Sequence, residues 1–299
     1  MSRNSWTTAD MPDQTGRTFL VTGANSGLGL QATDALTTAG AQVIMACRDT
    51  ARAETARAGL AHPDRAEVVE LDLADLDSVD GCADSLASRP IDVLILNAGL
   101  MNIPLARTAQ GHEMQFGVNV LGHFALARRL EAQLTDRVVW LGSIMHRFGS
   151  INLDDLDWTS RKYSAMPAYG ASKLACVMLA FEHQRRLEAA GSRLKAVAAH
   201  PGYSATNLQY RSGSGALDRL MRAAERIPFM VQPAEQGVLP ILYASTVQEL
   251  AGGKYVGPHR TGELTGSPKV VGSTEASRDT AVAAALWERC EELTSDSRG

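Results

Sequence analysis

Strand-like and helix-like segments alternate between residues 19 and 200 of the chain. Short apolar runs that predict strands lie at 19–23, 41–46, 66–71, 91–99, 137–142 and 195–200. Segments with helical spacing of apolar residues separate them, at 27–39, 50–60, 75–88, 110–134 and 168–189. Several runs are apolar throughout, as expected when helices cover both faces of a parallel sheet. The alternation predicts an α/β fold: a single doubly wound (Rossmann) domain with a mainly parallel sheet and helices on both faces.

The domain organisation is simple, because no linker, low-complexity segment or internal repeat divides the 299 residues. We expect one domain at residues 16–294. The polar residues 1–15 are expected to form an N-terminal extension, and residues 295–299 a disordered tail.

Composition excludes several classes of partner and compartment. The net charge is −4 without a long basic run, so a nucleic-acid partner has no electrostatic support. No stretch approaches 18 apolar residues, and the polar N-terminus lacks a signal core, so neither a membrane span nor a leader is expected. The cysteines, Cys47, Cys82, Cys176 and Cys290, form no CxxC pair and are expected to be reduced thiols in a cytoplasmic protein.

A glycine-rich loop, TGANSGLG at residues 22–29, follows the first predicted strand and opens the first predicted helix. Glycines let backbone N–H groups approach a pyrophosphate, and the helix N-terminus adds unpaired donors. The spacing is GxxxGxG rather than the commoner GxGxxG, so a turn without a ligand is the alternative. In this βαβ context the loop favours a nucleotide.

Polar motifs also follow the later strands. They are Asp72, Asn97-Ala98-Gly99, Ser143, and the pair Tyr169 and Lys173 at the start of the long helix. The carboxyl ends of parallel strands meet at one edge of the sheet, where ligands of open α/β sheets bind. We therefore expect these residues to share one site.

Taken together, these motifs resemble the short-chain dehydrogenase/reductase family, from about Gly16 to Leu293. The resemblance rests on TGANSGLG, DL (72–73), NAG (97–99), Asn119 in GVNVLGHF, Ser143, YGASK (169–173), and HPG (200–202) followed by Thr206. Finer features resemble the branch of retinol dehydrogenases and protochlorophyllide reductases: ACR (46–48), INLDDLDW (151–158), AYGASKLACVM (168–178) and the ending GGKYVGP…ALWE.

The resemblance implies a catalytic tetrad of Asn119, Ser143, Tyr169 and Lys173. Tyr169 would exchange a proton with the substrate oxygen, Ser143 would orient that oxygen, and Asn119 would hold a water for proton relay. Lys173 would hold the nicotinamide ribose and favour the phenolate, since it lies one helical turn from Tyr169. At about 4 Å and an effective dielectric near 20, that attraction is about 4 kcal/mol. Tyr163, with Pro167 four residues on, lacks such a partner.

The resemblance also implies the residues that bind a dinucleotide. They are Gly23, Asn25, Ser26, Gly27, Leu28, Gly29, Arg48, Asp72, Leu73, Asn97, Ala98, Gly99, Tyr169, Lys173, Pro201, Gly202 and Thr206. Cys47 stands where NAD-preferring sites place an acid, and the following Arg48 suits a 2′-phosphate. We therefore expect NADP(H) rather than NAD(H), although Asp49 and the absence of a basic residue in the glycine loop argue the other way.

The segment 146–168, between Ser143 and Tyr169, resembles an insertion of the same branch and is expected to form a surface excursion beside the site. Asp154, Asp155 and Asp157 within it lack the glycine and distal glutamate of a calcium loop, so they predict a solvated acidic turn and no metal site.

A substrate lid is expected at about 203–232, because the family has one there. Its apolar residues favour a hydrophobic pocket, completed by Met101, Ile103 and Met145; helix packing or a dimer contact would explain them equally well. The resemblance further implies a homodimer or homotetramer through the helices at 110–134 and 168–189.

The function these features predict is an NADP(H)-dependent oxidoreductase that interconverts a carbonyl and an alcohol on an apolar small molecule, with Tyr169 as acid and base. Two alternatives stay open: a reductase of an activated carbon–carbon double bond, and a nucleotide-sensing protein without catalysis.

Overall fold

The computed structural model of the chain describes residues 5–203 and 234–295. The strands are β1 (Thr18–Thr22), β2 (Gln42–Cys47), β3 (Ala66–Glu70), β4 (Ile91–Leu96), β5 (Leu134–Leu141), β6 (Lys195–Ala199), β7 (Tyr255–Pro258) and β8 (Pro268–Val270). The α-helices are α1 (Gly27–Thr38), α2 (Thr50–Ala58), α3 (Leu76–Ser85), α4 (Met114–Phe116), α5 (His123–Arg129), α6 (Ala165–Ala189), α7 (Ala234–Gly237), α8 (Leu239–Thr246) and α9 (Thr280–Ser295).

All eight strands form one sheet in the order β3-β2-β1-β4-β5-β6-β7-β8. Neighbours pair in parallel except β7 and β8, which are antiparallel. The chain builds outward from β1 to β3, then crosses to β4 and builds in the opposite direction. This reversal leaves a crevice beyond the carboxyl ends of β1 and β4. The predicted doubly wound fold is confirmed.

Apolar residues cover both faces of the sheet, because successive strand side chains point in opposite directions. On one face Leu20 and Trp140 belong to the core under α3, α5, α6 and α9. On the other, Phe19 and Val21 belong to the core under α1 and α8. Each fully buried aliphatic side chain contributes about 1.5–3 kcal/mol of burial free energy. Burial on both sides explains why these strands are apolar throughout.

The long helix predicted at 110–134 is wrong in its extent. Helix α4 begins only after Glu113, whose carboxylate accepts hydrogen bonds from the backbone N–H groups of Gln115 and Phe116. A π-helical stretch, Gly117–Gly122, joins α4 to α5. Beyond α5 the chain forms a short 3-10 helix, Glu131–Gln133, and enters β5 three residues earlier than predicted. The cap and the π-helical stretch interrupt a periodicity that looks continuous in sequence.

The prediction of a solvated acidic turn is also wrong for two of its three aspartates. Asp154 is exposed, but Asp155 is only 4% exposed and accepts hydrogen bonds from the backbone and hydroxyl groups of Thr159 and Ser160. Burial raises the pKa of Asp155, yet these hydrogen bonds outweigh it and bring the pKa to about 2. The second, Asp157, accepts from His112 Nδ1 at 3.1 Å and from the backbone of Glu113. Asp155 therefore stabilises a turn within the inserted segment, whereas Asp157 fastens the segment to the residues that precede α4.

The ends of the chain pack on the domain as well. Trp6 contacts Tyr243 of α8, with ring centroids 5.4 Å apart. Near the C-terminus, Trp287 of α9 packs on Phe124 of α5, with centroids 4.8 Å apart. The four cysteines are buried and free. Within the described ranges, none of the helices combines the length and apolar character needed to cross a membrane.

Candidate active site

Tyr169 and Lys173 lie one turn apart on α6 and are both buried, at 6% and 5% exposure. The Nζ atom of Lys173 lies 5.9 Å from the centroid of the Tyr169 ring. It also donates a hydrogen bond to the carbonyl oxygen of Leu141, at the end of β5, with a distance of 3.0 Å. The sheet edge thus holds the ammonium group beside the phenol.

Asn119 lies in the π-helical stretch, and its side chain is fixed on two sides. Its Oδ1 accepts from the backbone N–H of Leu100 at 2.8 Å, while its Nδ2 donates to Leu100 O at 3.0 Å and to Ser172 Oγ at 2.9 Å. A β-carbon placed on Gly99 would lie 3.1 Å from Asn119 Oδ1 and 3.6 Å from Lys173 Nζ. Asn119, Lys173 and the Asn97–Gly99 turn therefore adjoin one another.

Ser143 follows β5 and caps a 3-10 helix, Ile144–Phe148, by accepting from the backbone N–H of Met145. The chain then presses against the first turns of α6: a β-carbon on Gly149 would overlap the carbonyl oxygen of Gly170, next to Tyr169. This close approach brings the Ser143 turn to the part of α6 that carries the phenol.

The glycine loop packs against the Asn97–Gly99 turn at the crevice between β1 and β4. A β-carbon on Gly29 would overlap Gly23 O and lie 2.6 Å from Asn97 Nδ2, so the close approach requires glycine. Within the described part of the chain, Ser26 occupies the N-cap of α1 without a side-chain cap hydrogen bond. The first N–H groups of α1 are thus left for an acceptor outside the helix. The cradle suits a pyrophosphate.

The end of β2 adjoins this loop. The Cys47 thiol is buried against the backbone of Ala24 and Asn25, and burial raises its pKa to about 11 in spite of their N–H groups. The next residue, Arg48, is exposed, whereas Asp49 accepts a hydrogen bond from the backbone N–H of Arg52 and so caps α2. A buried neutral thiol and an exposed guanidinium thus stand at this position.

Of the remaining predicted site residues, Asp72, Leu73 and Gly202 lie in the described part of the chain and Thr206 does not. Asp72 accepts from the backbone N–H of Ala74 at 2.9 Å and shapes the turn after β3, in which Leu73 is buried. Gly202, after β6, donates its N–H to His200 Nδ1 at 3.2 Å. Thr206 lies outside the described residues, and so does the expected lid at about 203–232, apart from Tyr203.

His123 was not predicted from the sequence, although it lies one helical turn after Asn119 in the same motif, GVNVLGHF (117–124). Its Nδ1 contacts Asn119 O at 3.2 Å, and its Nε2 contacts Thr22 Oγ1 at 2.9 Å. Thr22 Oγ1 in turn accepts from the backbone N–H of Ala98 at 2.9 Å. Burial, aided by the charge of Lys173, lowers the pKa of His123 to about 3, in spite of the bond to Asn119. A neutral imidazole therefore ties Asn119 to the Asn97–Gly99 turn.

Tyr255 of β7 was missed too, since its strand was not predicted. It is buried behind the Ser143 turn, where its hydroxyl donates to Ser143 O at 3.4 Å. Burial, and then the nearby Glu263 and Tyr169, raises the pKa of Tyr255 well above its ordinary value. It can therefore support the site only as a neutral phenol.

The described segments contain no group of three His, Cys, Asp or Glu side chains placed to hold a metal ion.

Tyr163, the tyrosine without a lysine partner, donates its hydroxyl to Glu113 Oε1 at 3.0 Å. Burial and this carboxylate raise the pKa of Tyr163. The two tyrosines thus have opposite electrostatic environments: an ammonium beside Tyr169, a carboxylate beside Tyr163.

Comparison with solved structures matches this architecture. An uncharacterized protein from Mycobacterium Paratuberculosis superposes with a TM-score of 0.84 and 44% identity, over 98% of each chain. A short chain dehydrogenase from Burkholderia cenocepacia J2315 in complex with NADP has a TM-score of 0.63 at 23% identity, over 81% of this chain and 96% of its own. At that identity the likeness shows the fold.

Sequence comparison gives the family. A model of the short chain dehydrogenase family matches residues 17–216. Retinol dehydrogenase 14 of Mus musculus is 38% identical over 297 residues, which cover 92% of this chain and 85% of the relative. Polyprenol dehydrogenase of Mus musculus is 33% identical over 307 residues, covering 97% and 87%. The chain therefore belongs to the short-chain dehydrogenase/reductase family of oxidoreductases, in the branch that resembles the retinol dehydrogenases.

Proposed function

We propose that this protein is an NADP(H)-dependent oxidoreductase that interconverts a carbonyl and an alcohol on an apolar small molecule. The observation that carries the proposal is the buried Tyr169 and Lys173 pair, with Nζ 5.9 Å from the ring centroid, beside the Asn97–Gly99 turn. That turn packs on the glycine loop, so the pair adjoins the cradle that suits a dinucleotide.

The chemistry divides between cofactor and protein. When bound, NADP(H) would supply the hydride donor or acceptor. Tyr169 would give a proton to the carbonyl oxygen during reduction and take one from the alcohol during oxidation. The Lys173 ammonium, 5.9 Å from the centroid of the Tyr169 ring, would hold a positive charge beside the group that exchanges the proton. Ser143 would hydrogen-bond the substrate oxygen and fix its direction.

Proton supply to the pair would pass through Lys173 and Asn119. The Lys173 ammonium already donates to a carbonyl oxygen, and Asn119 adjoins it across Gly99. We assign Asn119 the role of holding a water between Lys173 and solvent. Its own side chain is committed to Leu100 and Ser172, so it stays in place while protons move.

The preference for NADP(H) rests on the end of β2. NAD-preferring sites place a carboxylate here to accept from the ribose 2′-hydroxyl. This chain has the buried Cys47 thiol instead, and Asp49 is used in capping α2. The exposed Arg48 guanidinium can bind a 2′-phosphate with two charge-assisted hydrogen bonds. A solved structure at 27% identity, described as an NAD(P)-dependent gluconate 5-dehydrogenase from Beutenbergia cavernae, has NADP bound at low occupancy, which supports the same choice.

An apolar substrate fits both the site and the relatives. Met101, Ile103 and Met145 are partly buried near the Asn97–Gly99 and Ser143 turns. The curated relatives are named for retinol and polyprenol, which are apolar alcohols.

The acid–base role is tested with two matched variants, Tyr169→Phe and Tyr163→Phe, each of which removes one phenol oxygen. We expect Tyr169→Phe to lower kcat/KM about 10²- to 10⁴-fold on an apolar ketone or aldehyde with NADPH. Tyr163→Phe should retain most of the activity. Near-normal turnover by Tyr169→Phe would refute the assignment. Products saturated at a carbon–carbon bond would favour the double-bond reductase, and NADPH binding without turnover would favour a nucleotide sensor.

The cofactor assignment is tested by kcat/KM for NADPH and NADH in wild type, Arg48→Ala and Arg89→Ala. Arg89 is an equally charged residue at the amino end of the sheet, where it pairs with Glu67. Losing a charge-assisted phosphate contact costs about 1.5–3 kcal/mol, so Arg48→Ala should weaken NADPH use about 10- to 100-fold and leave NADH nearly unchanged. A clear preference of the wild type for NADH would refute NADP(H).

A further inference from the structure

Three polar side chains outside the tetrad form a continuous chain beside the Ser143 turn; we call Arg147, Glu263 and His200 the polar bridge. Arg147 pairs with Glu263 Oε1 at 2.8 Å, and Glu263 Oε2 contacts His200 Nε2 at 3.1 Å. His200 Nδ1 in turn accepts the backbone N–H of Gly202 at 3.2 Å. The bridge therefore runs from the helix that follows Ser143 to the turn that follows β6.

The protonation of His200 follows from its partners. A backbone N–H can only donate, so Nδ1 must be the unprotonated nitrogen, and Nε2 must carry the hydrogen that it donates to Glu263. His200 is 0% exposed, and burial lowers its pKa although Glu263 acts in the opposite direction. The imidazole is therefore neutral and its hydrogen bonds have fixed directions, with Nε2 donating to Glu263 and Nδ1 accepting from Gly202.

Glu263 is held in an unusual backbone conformation. Its φ is 56°, in the left-handed region that is costly for residues other than glycine. Burial raises the pKa of Glu263, but His200 and Arg147 outweigh burial and keep the pKa below its ordinary value. Strained backbone of this kind persists where surrounding contacts over-determine it, and it clusters at functional sites.

The bridge connects three segments that are distant in sequence. Arg147 lies on the 3-10 helix capped by Ser143, His200 follows β6, and Glu263 lies between β7 and β8. Tyr255 fills the space between them: its ring centroid lies 5.0 Å from that of His200, and its hydroxyl donates to Ser143 O. The Ser143 turn and the Gly202 turn are therefore fixed to the same rigid group.

We propose that Arg147, Glu263 and His200 are positioning residues that hold the Gly202 turn at a set distance from Ser143. The inference rests on the proposed function, in which Ser143 orients the substrate oxygen, and on the dinucleotide contact that the family resemblance implies for Pro201 and Gly202. The bridge would set how closely the reacting carbon of the substrate approaches the cofactor. It makes no contact with the reacting atoms.

The test compares Arg147→Ala, Glu263→Gln and Arg147→Lys with the control Arg185→Ala. Arg147 and Arg185 are both 37% exposed at the side chain and both pair with a glutamate, but Arg185 pairs with Glu182 along α6. We expect Arg147→Ala and Glu263→Gln to lower kcat about 10- to 100-fold, as small misplacements of reacting groups do, with a larger isotope effect from deuterated NADPH. Arg147→Lys should restore much of the rate, and Arg185→Ala should match wild type.

A second readout needs neither cofactor nor activity. Hydrogen exchange of the peptide containing Gly202 should accelerate about tenfold in Arg147→Ala and Glu263→Gln, because His200, the acceptor of the Gly202 N–H, is then held less firmly, and should not change in Arg185→Ala. Unchanged exchange in both bridge variants would overturn the proposal, as would equal kcat and isotope effects in Arg147→Ala and Arg185→Ala. If wild type lacks turnover but exchange responds as expected, the proposed function fails and the bridge stands.

Discussion

Burial keeps His123 neutral at the point where the π-helical stretch meets the Asn97–Gly99 turn. An unfolded histidine has a pKa of about 6.5, whereas burial lowers that of folded His123 to about 3. Between these values the unfolded chain binds a proton that the folded chain does not. The contribution of neutral His123 to the free energy of unfolding is therefore fully present above pH 6.5 and is lost as the pH falls toward 3.

We therefore expect the free energy of unfolding to fall by about 1.4 kcal/mol per pH unit below pH 6.5 on account of His123 alone. Urea unfolding of wild type and His123→Asn at pH 7 and pH 5 measures this. The variant should be less stable at pH 7, because Thr22 and Asn119 lose their partner, yet should lose less stability on acidification. Equal losses in the two proteins would mean that His123 does not remain neutral.

Gly29 is required because the glycine loop and the Asn97–Gly99 turn pack too closely to leave room for a side chain. A β-carbon there would overlap Gly23 O and lie 2.6 Å from Asn97 Nδ2, whereas one on Gly81 of α3 would meet nothing within 4 Å. Gly29→Ala should cost about 1–3 kcal/mol in overpacking. Gly81→Ala should stabilise the protein by about 0.4–1 kcal/mol by restricting the unfolded chain. Thermal unfolding and NADPH titration of both variants check this, and NADPH binding should weaken only in Gly29→Ala.

Among the elements, α4 and the inserted segment hold each other in place. The Glu113 carboxylate accepts from the backbone of Gln115 and Phe116 and from the Tyr163 hydroxyl. Gln115 Nε2 also donates to Tyr163 and to the carbonyl oxygen of Ala165, at the start of α6. The insertion therefore links the helix that leads to Asn119 with the helix that carries Tyr169.

Removal of this carboxylate should be costly. Glu113 is 0% exposed, so Glu113→Ala leaves the buried backbone N–H groups of Gln115 and Phe116 unpaired, and we expect a loss of about 2–4 kcal/mol. Asp154→Ala, which removes an exposed carboxylate from the inserted segment, should change stability by less than about 0.5 kcal/mol. Urea unfolding of both variants measures the difference, and similar losses would refute the role given to Glu113.

The element boundaries that were wrong share a physical cause. Apolar spacing over 110–134 is helical, but the start of α4 depends on a cap, Glu113, that is held by Tyr163 and Asp157 from the insertion. Asp155 looks like a solvent residue in sequence and becomes buried through Thr159 and Ser160. Local patterns predict which segments are helical or extended, whereas caps and burial depend on partners that sequence does not identify.

At the scale of the molecule, α9 covers one face of the domain. Trp287 is 1% exposed, packs on Phe124, and lies under the guanidinium of Arg186 of α6 at 5.0 Å. The helices expected to carry an oligomer contact are thus partly covered by the chain's own C-terminal helix. The homodimer or homotetramer stays a prediction.

Because α9 belongs to the same core as the sheet, Trp287→Ala should destabilise the whole domain. We expect about 3–5 kcal/mol, as for other buried aromatic truncations, in a single cooperative transition. Trp6→Ala, at the opposite face, removes a half-buried ring and should cost less. Circular dichroism and fluorescence followed through the same urea transition would check this. A separate early transition in Trp287→Ala would mean that α9 unfolds on its own.

The sequence by itself determined the parallel α/β fold and the edge of the sheet where the candidate site lies, since strand–helix alternation and right-handed crossovers leave few topologies. It also determined that Tyr169 and Lys173 adjoin, because one helical turn fixes that spacing. Only the tertiary structure decided that Arg147, His200 and Glu263 meet, that Tyr255 lies behind Ser143, and that Asp155 is buried. The first two contacts join residues that are far apart along the chain. Asp155 is buried because the inserted segment folds back so that Thr159 and Ser160 reach it. These contacts follow from the path of the backbone through space, which no local pattern specifies.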